Sequence, residues 1–228
     1  VALSCTTAIN VGVLSLALSL GMAMAFDSDM EARILNEVNQ HYGNDAPGRI
    51  QQWFKVMRAA AAMQETDKLR AVNSFFNALP NVEDSAHWGA QDYWATPLEL
   101  IGSNGGDCED FALAKYFALR ELGVPDERLR ITYVKAFLRG SRQVQSHMVL
   151  SYYAAPDAEP LVLDNLSDAI KPASQRSDLA PTYSFNAAGL WSAKEREAGR
   201  RLRDADTLPA WRDLRLKMLR LARSARQP

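Results

Sequence analysis

The stretch Ser103-Asn104-Gly105-Gly106-Asp107-Cys108-Glu109-Asp110-Phe111-Ala112 joins a tight turn to the start of a helix and puts a cysteine in that helix's first turn. Phe111, Ala112, Ala114, Tyr116 and Leu119 give the helix apolar inner faces between Asp107 and Leu122. Gly123 closes it as a C-cap glycine, with Pro125 just beyond. A helix N-terminus carries unsatisfied N–H groups and positive partial charge. Both favour a thiolate over a thiol, so Cys108 sits where a cysteine becomes a nucleophile. The same N–H groups can hold a developing oxyanion. Asp107, Glu109 and Asp110 argue against an inert apolar pocket around the sulfur. Uncompensated, however, their charge raises a thiol's pKa. Two arrangements resolve this. Asp107 is the N-cap with Asp110 three residues on in a capping-box position, or the carboxylates hold a hard cation. Both stay open at this point.

Outward from this helix the periodicity changes. Upstream it is helical. Ser28 caps a helix with Glu31 three residues on, and Ile34, Leu35, Val38 and Tyr42 recur at helical spacing. Pro47 opens a second helix through Trp53, Phe54, Val56 and Met57. A third runs from Thr66 to Leu79 and is ended by Pro80. Residues 81–106 read as mostly loop, with Trp88 and Trp94 either in the core or in an exposed docking patch. Downstream of Pro125 the period becomes two. Leu129 to Leu138, Val144 to Tyr153 and Leu161 to Asp164 read as strands, and Tyr183 to Phe185 as a short fourth. Helices near Ala193–Arg203 and Pro209–Ala225 follow. Helices, then strands, then helices predict an α+β domain with a small antiparallel sheet.

The strands supply a partner for the thiol. His147 alternates with Met148, Leu150 and Tyr152 and shares the other face with Gln145, Val149 and Ser151. Asp164 ends the next strand. A turn centred near Ala155–Pro156 sets 147 opposite 164, and a shift of one residue makes the pair diagonal; either way the two are within side-chain reach. This order predicts Cys108 as nucleophile, His147 as base and Asp164 as the acid that orients the imidazole. His41, at a helix end, and His87, in a polar loop, read as ordinary solvated histidines.

The 228 residues are 47% hydrophobic and 23% charged, enough for one domain with a real core, and 12 Gly and 10 Pro exclude collagen and low-complexity classes. A net charge of −1 argues against a general nucleic-acid binder, and two cysteines against a disulfide scaffold. From Ser192 onward there are 11 basic and five acidic residues, and Trp211, Leu214, Met218, Leu221 and Ala225 share one face of the last helix. That helix is either packed with a solvated basic face or a docking element. Residues 1–25 carry no charge, Val11 to Ala23 is apolar, and Ala23-Met24-Ala25 is an A-x-A signature, so a signal peptide cut before Phe26 is expected, leaving a domain over 26–228. Cleavage would remove Cys5 and leave Cys108 as the lone thiol of an exported chain.

Tyr93-Trp94-Ala95-Thr96-Pro97 followed by Gly105-Gly106-Asp107-Cys108-Glu109-Asp110-Phe111-Ala112, with His147 and Asp164 on later strands, resembles the bacterial transglutaminase-like (papain-related) cysteine proteinases, and among them the periplasmic proteinases that release biofilm adhesins. The resemblance implies a papain/transglutaminase-like fold with N-terminal helices, a nucleophile helix, an antiparallel sheet and C-terminal helices. It implies Cys108, His147 and Asp164 as catalytic residues and Ca²⁺ ligands at Asp107 and Glu109, with Asp110 adjacent. It further implies a large surface adhesin cut near its N-terminus, an inner-membrane cyclic-di-GMP receptor that sequesters the enzyme, and periplasmic localisation. Transglutaminase or other acyl transfer at the same site, or a non-catalytic binding module, are the competing functions.

Overall fold

A computed structural model describes residues 28–137, 143–192 and 201–224. The expected leader over residues 1–25 lies outside them. Three helices open the described chain: α1 (Ser28–Tyr42), α2 (Ala46–Ala60) and α3 (Glu65–Asn77). Each buries the apolar stripe its spacing sets out, including Val38 from α1, Ile50, Trp53, Phe54 and Met57 from α2, and Leu69, Val72 and Phe76 from α3.

Residues 81–106 hold more structure than a loop. A short helix α4 (Asp84–His87) and a second, α5 (Pro97–Ser103), lie within them. Thr96 caps α5 in a full capping box: its Oγ1 accepts from the Glu99 N–H at 3.2 Å, and Glu99 Oε2 accepts from the Thr96 N–H at 2.7 Å. Thr96-Pro97-Leu98-Glu99 is the S/T-x-x-E signature with Pro at the first helical position, so this helix was legible. The helix that starts at Cys108, α6 (Cys108–Glu121), follows and is the most buried of the described helices.

The sheet is larger than expected. Among the described residues seven antiparallel strands are ordered β4-β3-β2-β1-β5-β6-β7: β1 (Leu129–Phe137), β2 (Val144–Tyr152), β3 (Leu161–Asp164), β4 (Ser167–Pro172), β5 (Leu179–Asn186), β6 (Gly189–Ser192) and β7 (Arg201–Arg203). Of the four strands read from the sequence, three correspond to β1, β2 and β3 in one half of the sheet, and the short fourth, Tyr183 to Phe185, lies within the longer β5. The unexpected ones are short or half-exposed, and they lack the apolar alternation that marks a strand. The helix expected near Ala193–Arg203 is corrected at its end: Arg201–Arg203 pair with β6 as a solvent-facing edge strand. Residues 193–200 of that expectation lie outside the described residues.

One face of the sheet packs Met148, Leu150 and Leu163 with the helices into the main core. Val134, Val149 and Val162 form a small cluster on the other, covered in part by Leu179. The last helix α7 (Pro209–Ser224) is packed through its first half. Trp211 is buried, stacked on Phe117 at 5.8 Å and edge-on to Phe185 at 5.3 Å. Trp94 is likewise core, stacked on Phe185 at 5.8 Å, whereas Trp88 is half-buried against His87 and Tyr93. No helix among the described residues is long and apolar enough to cross a membrane.

Candidate active site

The turn before Cys108 is built by residues with little freedom to vary. Asn104 is left-handed at φ +62° and ends α5. Gly105 takes φ +145°, and a Cβ there would lie 2.8 Å from the Pro80 carbonyl oxygen. At Gly106 a Cβ would meet Asp110 Oδ2 at 2.3 Å. The Val82 N–H donates to the Gly106 carbonyl at 2.8 Å and straps the turn to the preceding loop. Asp107 is then the N-cap, its carboxylate accepting from the Glu109 N–H at 3.2 Å, and Cys108 is the first helical residue.

The thiol of Cys108 is half-buried and donates to Glu109 Oε2 at 2.7 Å. Burial first, then the charge and acceptance of Glu109 and the charge of Asp107, push it well above the ordinary thiol range. A hydrogen bond from the backbone N–H of Met148 opposes this shift. The sulfur therefore lies against β2 at the residue next to His147.

His147 and Asp164 are brought together. Leu150 pairs with Leu163 and Ser151 with Val162, so the register sets 164 across from 149 and His147 on the diagonal. His147 Nε2 donates to Asp164 Oδ1 at 2.8 Å, with both side chains buried. Asp164 also accepts from the Leu166 N–H at 3.0 Å on Oδ1 and from Arg176 Nη2 at 2.6 Å on Oδ2. Burial raises its pKa, but the hydrogen bond and charge of His147, the Leu166 N–H and Arg176 outweigh that and hold it at about 2. Of the other two histidines, His41 is exposed with Nδ1 near the Glu37 carbonyl, and His87 bonds Ser103. Neither joins the site.

The carboxylates form a cluster that capping does not use up. Asp110 is fully buried; its Oδ1 accepts from the Ala95 N–H at 2.7 Å, while Oδ2 has no partner. Asp84, which sequence reasoning missed, is buried beside it; Oδ2 accepts from the Tyr93 N–H and Oδ1 has no partner. Single ligand atoms of Asp84, Asp107 and Asp110 lie within 4.8 Å of one another, as do those of Asp107, Cys108 and Glu109. Burial and mutual repulsion raise Asp107 to about 9 and Asp110 to about 7. Buried carboxylate oxygens without partners, in a set dominated by oxygen donors, fit a hard divalent cation such as calcium. Thus the two arrangements left open by the sequence coexist: Asp107 caps the helix, and the cluster still has oxygens to offer. Arg176 was also missed, because a single Arg between strands carries no local signal.

The chain matches the model of the bacterial transglutaminase-like cysteine proteinase family, BTLCP, over residues 37–187. No curated protein sequence matches it. Among solved structures it is similar to Legionella pneumophila LapG in an EGTA-treated form, at 40% identity and TM-score 0.71, covering 82% of this chain and 97% of that one. It is also similar to the calcium-bound form of Legionella pneumophila LapG, at 41% identity and TM-score 0.68, covering 81% of this chain and 97% of that one. With the cysteine at a helix start, the antiparallel sheet behind it and similarity over most of its length, the chain belongs to the bacterial transglutaminase-like cysteine proteinase family.

Proposed function

We propose that the protein is a calcium-dependent periplasmic endopeptidase that cuts a large surface adhesin near its N-terminus through a Cys108–His147–Asp164 triad. The buried His147–Asp164 hydrogen bond, one residue from the backbone N–H that meets the Cys108 sulfur, carries this reading. With Nε2 committed to Asp164, Nδ1 is the nitrogen left to take the thiol proton. The thiolate attacks the peptide carbonyl. The Cys108 backbone N–H, aimed out of the helix start, stabilises the oxyanion. His147 returns its proton to the leaving amine, and water then hydrolyses the thioester. Asp164 keeps the imidazole in the productive tautomer and orientation throughout.

Asp84, Asp107, Glu109 and Asp110 would hold the calcium, which supplies positive charge against the carboxylates crowding the sulfur. Engaging Glu109 in this way removes the acceptor that now keeps the thiol protonated. Release of the adhesin and sequestration of the enzyme by a cyclic-di-GMP-responsive inner-membrane receptor complete the proposal; they rest on the family likeness.

The test is incubation of the purified protein with the N-terminal segment of the adhesin made by the same organism. Cleavage that is lost in Cys108→Ala and in EGTA is expected. Cutting by Cys108→Ala overturns the proposal, and cutting in EGTA overturns its calcium clause. Incorporation of a labelled amine into a glutamine peptide moves the assignment from hydrolysis to transfer.

A further inference from the structure

The side of Asp164 that faces away from His147 is occupied by a cation that the proposed mechanism does not use. Arg176 lies between β4 and β5 and is only 7% exposed. Its Nη2 donates to Asp164 Oδ2 at 2.6 Å. Its own position is set by Asp178, whose Oδ1 and Oδ2 accept from Nε at 3.0 and 3.2 Å and whose Oδ2 also accepts from Nη2 at 2.8 Å. The planar guanidinium is thus gripped on one side and delivers a hydrogen bond on the other.

From this geometry we infer that Arg176, held by Asp178, is a positioning residue for the catalytic pair: it fixes the Asp164 carboxylate with Oδ1 turned to His147. The inference rests on the triad proposed above. A carboxylate on a strand end has freedom about χ2, and the imidazole follows whichever oxygen it is offered. Two anchors, the Leu166 N–H on Oδ1 and Arg176 on Oδ2, remove that freedom. The titratable and charged groups around Asp164 are His147 from β2, Arg176 from the β4–β5 segment and Lys115 from α6, with Asp178 and Asp168 beyond. Of the two basic side chains near Asp164, Arg176 is the one hydrogen-bonded to it; Lys115 Nζ has no hydrogen-bond partner.

Two readouts test this. The first is cleavage of the adhesin N-terminal segment by calcium-loaded enzyme, resolved into kcat and KM across pH. Arg176→Met should lower kcat by roughly 10–100-fold with KM little changed, since the contact orients a catalytic group and touches no substrate. Its acid limb should move to higher pH, because Asp164 then protonates more readily. Arg176→Lys, which keeps the charge, should restore part of the rate. The second readout is the Nε2–H proton of His147 in ¹⁵N-histidine NMR spectra, which needs no substrate. It should be downfield and slowly exchanging in the wild type, lost in Asp164→Asn and broadened in Arg176→Met. If Asp164→Asn keeps wild-type cleavage, the triad itself fails. If Asp164→Asn abolishes cleavage while Arg176→Met keeps wild-type kcat, acid limb and proton signal, this inference alone is overturned. Should no variant or wild type cut the segment, the proton signal decides. Should Arg176→Met not fold, Asp178→Asn takes its place, with a smaller loss of the same kind expected and unchanged kcat and proton signal overturning the inference.

Discussion

The Cys108 thiol gives its hydrogen to Glu109, the next residue in the chain, across 2.7 Å. That contact keeps the thiol neutral. Burial and the Glu109 charge act together to raise the thiol far above its ordinary value. Whatever draws the Glu109 carboxylate away should release the thiolate. Iodoacetamide alkylation of Cys108 at pH 7 should therefore be slow in EGTA and at least about tenfold faster in saturating calcium, as expected when thiolate fraction sets reactivity. Glu109→Gln should be faster than the wild type in EGTA. Equal wild-type rates with and without calcium would break the link between the cation and the sulfur.

The acidic cluster makes the calcium-free fold sensitive to alkali. Asp107 and Asp110 are raised to about 9 and about 7, first by burial and then by their acidic neighbours, so the folded state binds protons that the unfolded chain has already lost above its ordinary carboxylate pKa. The sign follows: their stabilising contribution is fully present below about pH 4 and is lost as pH rises through about 7 and 9. The melting temperature in EGTA should fall from pH 5 to pH 9, and calcium should reverse the fall. Asp84→Asn should raise the EGTA melting temperature at pH 8 while weakening the calcium response. A calcium-induced shift of full size in Asp84→Asn would remove Asp84 from the ligand set.

Lys115 has the opposite sign. It lies two helical turns beyond Cys108, is buried, and its Nζ has no hydrogen-bond partner. Burial lowers its pKa to about 7, against the pull of Asp164 and Asp168. Between about pH 7 and its unfolded value near 10.5, the unfolded chain holds the extra proton, so stability rises with pH in that window. Lys115→Met should stabilise the calcium-loaded protein at pH 7 by about 1–3 kcal/mol and flatten this slope, since replacing a buried charge by an apolar chain of similar size removes a desolvation penalty. A lower melting temperature in Lys115→Met would mean that the ammonium has a partner, such as a buried water, that supports the fold.

Periodicity carried the sequence reading as far as burial did. The three N-terminal helices, the nucleophile helix and the central strands each present a continuous apolar stripe or alternation, and all were legible. His147 and Asp164 were found because a hairpin's loop length limits which residues can meet, and the diagonal register is the one-residue alternative that the sequence allowed. The strands β4 and β7 carry no such pattern, because edge strands bury little, and β6, inside the sheet, is only four residues long. Asp84 and Arg176 were invisible for another reason: each acts through contacts made across the fold, at Asp110 and Asp164, and nothing near them in the chain announces the partner.

Two glycines separate the demands of the site from those of the fold. At Gly106 a methyl group would overlap Asp110 Oδ2 at 2.3 Å and Leu100 Cδ1 at 2.8 Å. Gly106→Ala must therefore displace the buried carboxylate that the cation cluster needs. It should cost about 1–3 kcal/mol, as overpacking does, and should also abolish the calcium-induced rise in Cys108 alkylation. At Gly123 the space is open, but φ is +85° at the end of the nucleophile helix. Gly123→Ala should cost on the order of 1–2 kcal/mol through backbone strain while leaving calcium binding and alkylation unchanged. Melting curves with and without calcium, measured beside alkylation rates for both variants, distinguish the two effects. If Gly106→Ala bound calcium as tightly as the wild type, the Asp110 carboxylate would have no part in the cluster, and the proposed calcium site would have to be rebuilt around Asp84, Asp107 and Glu109.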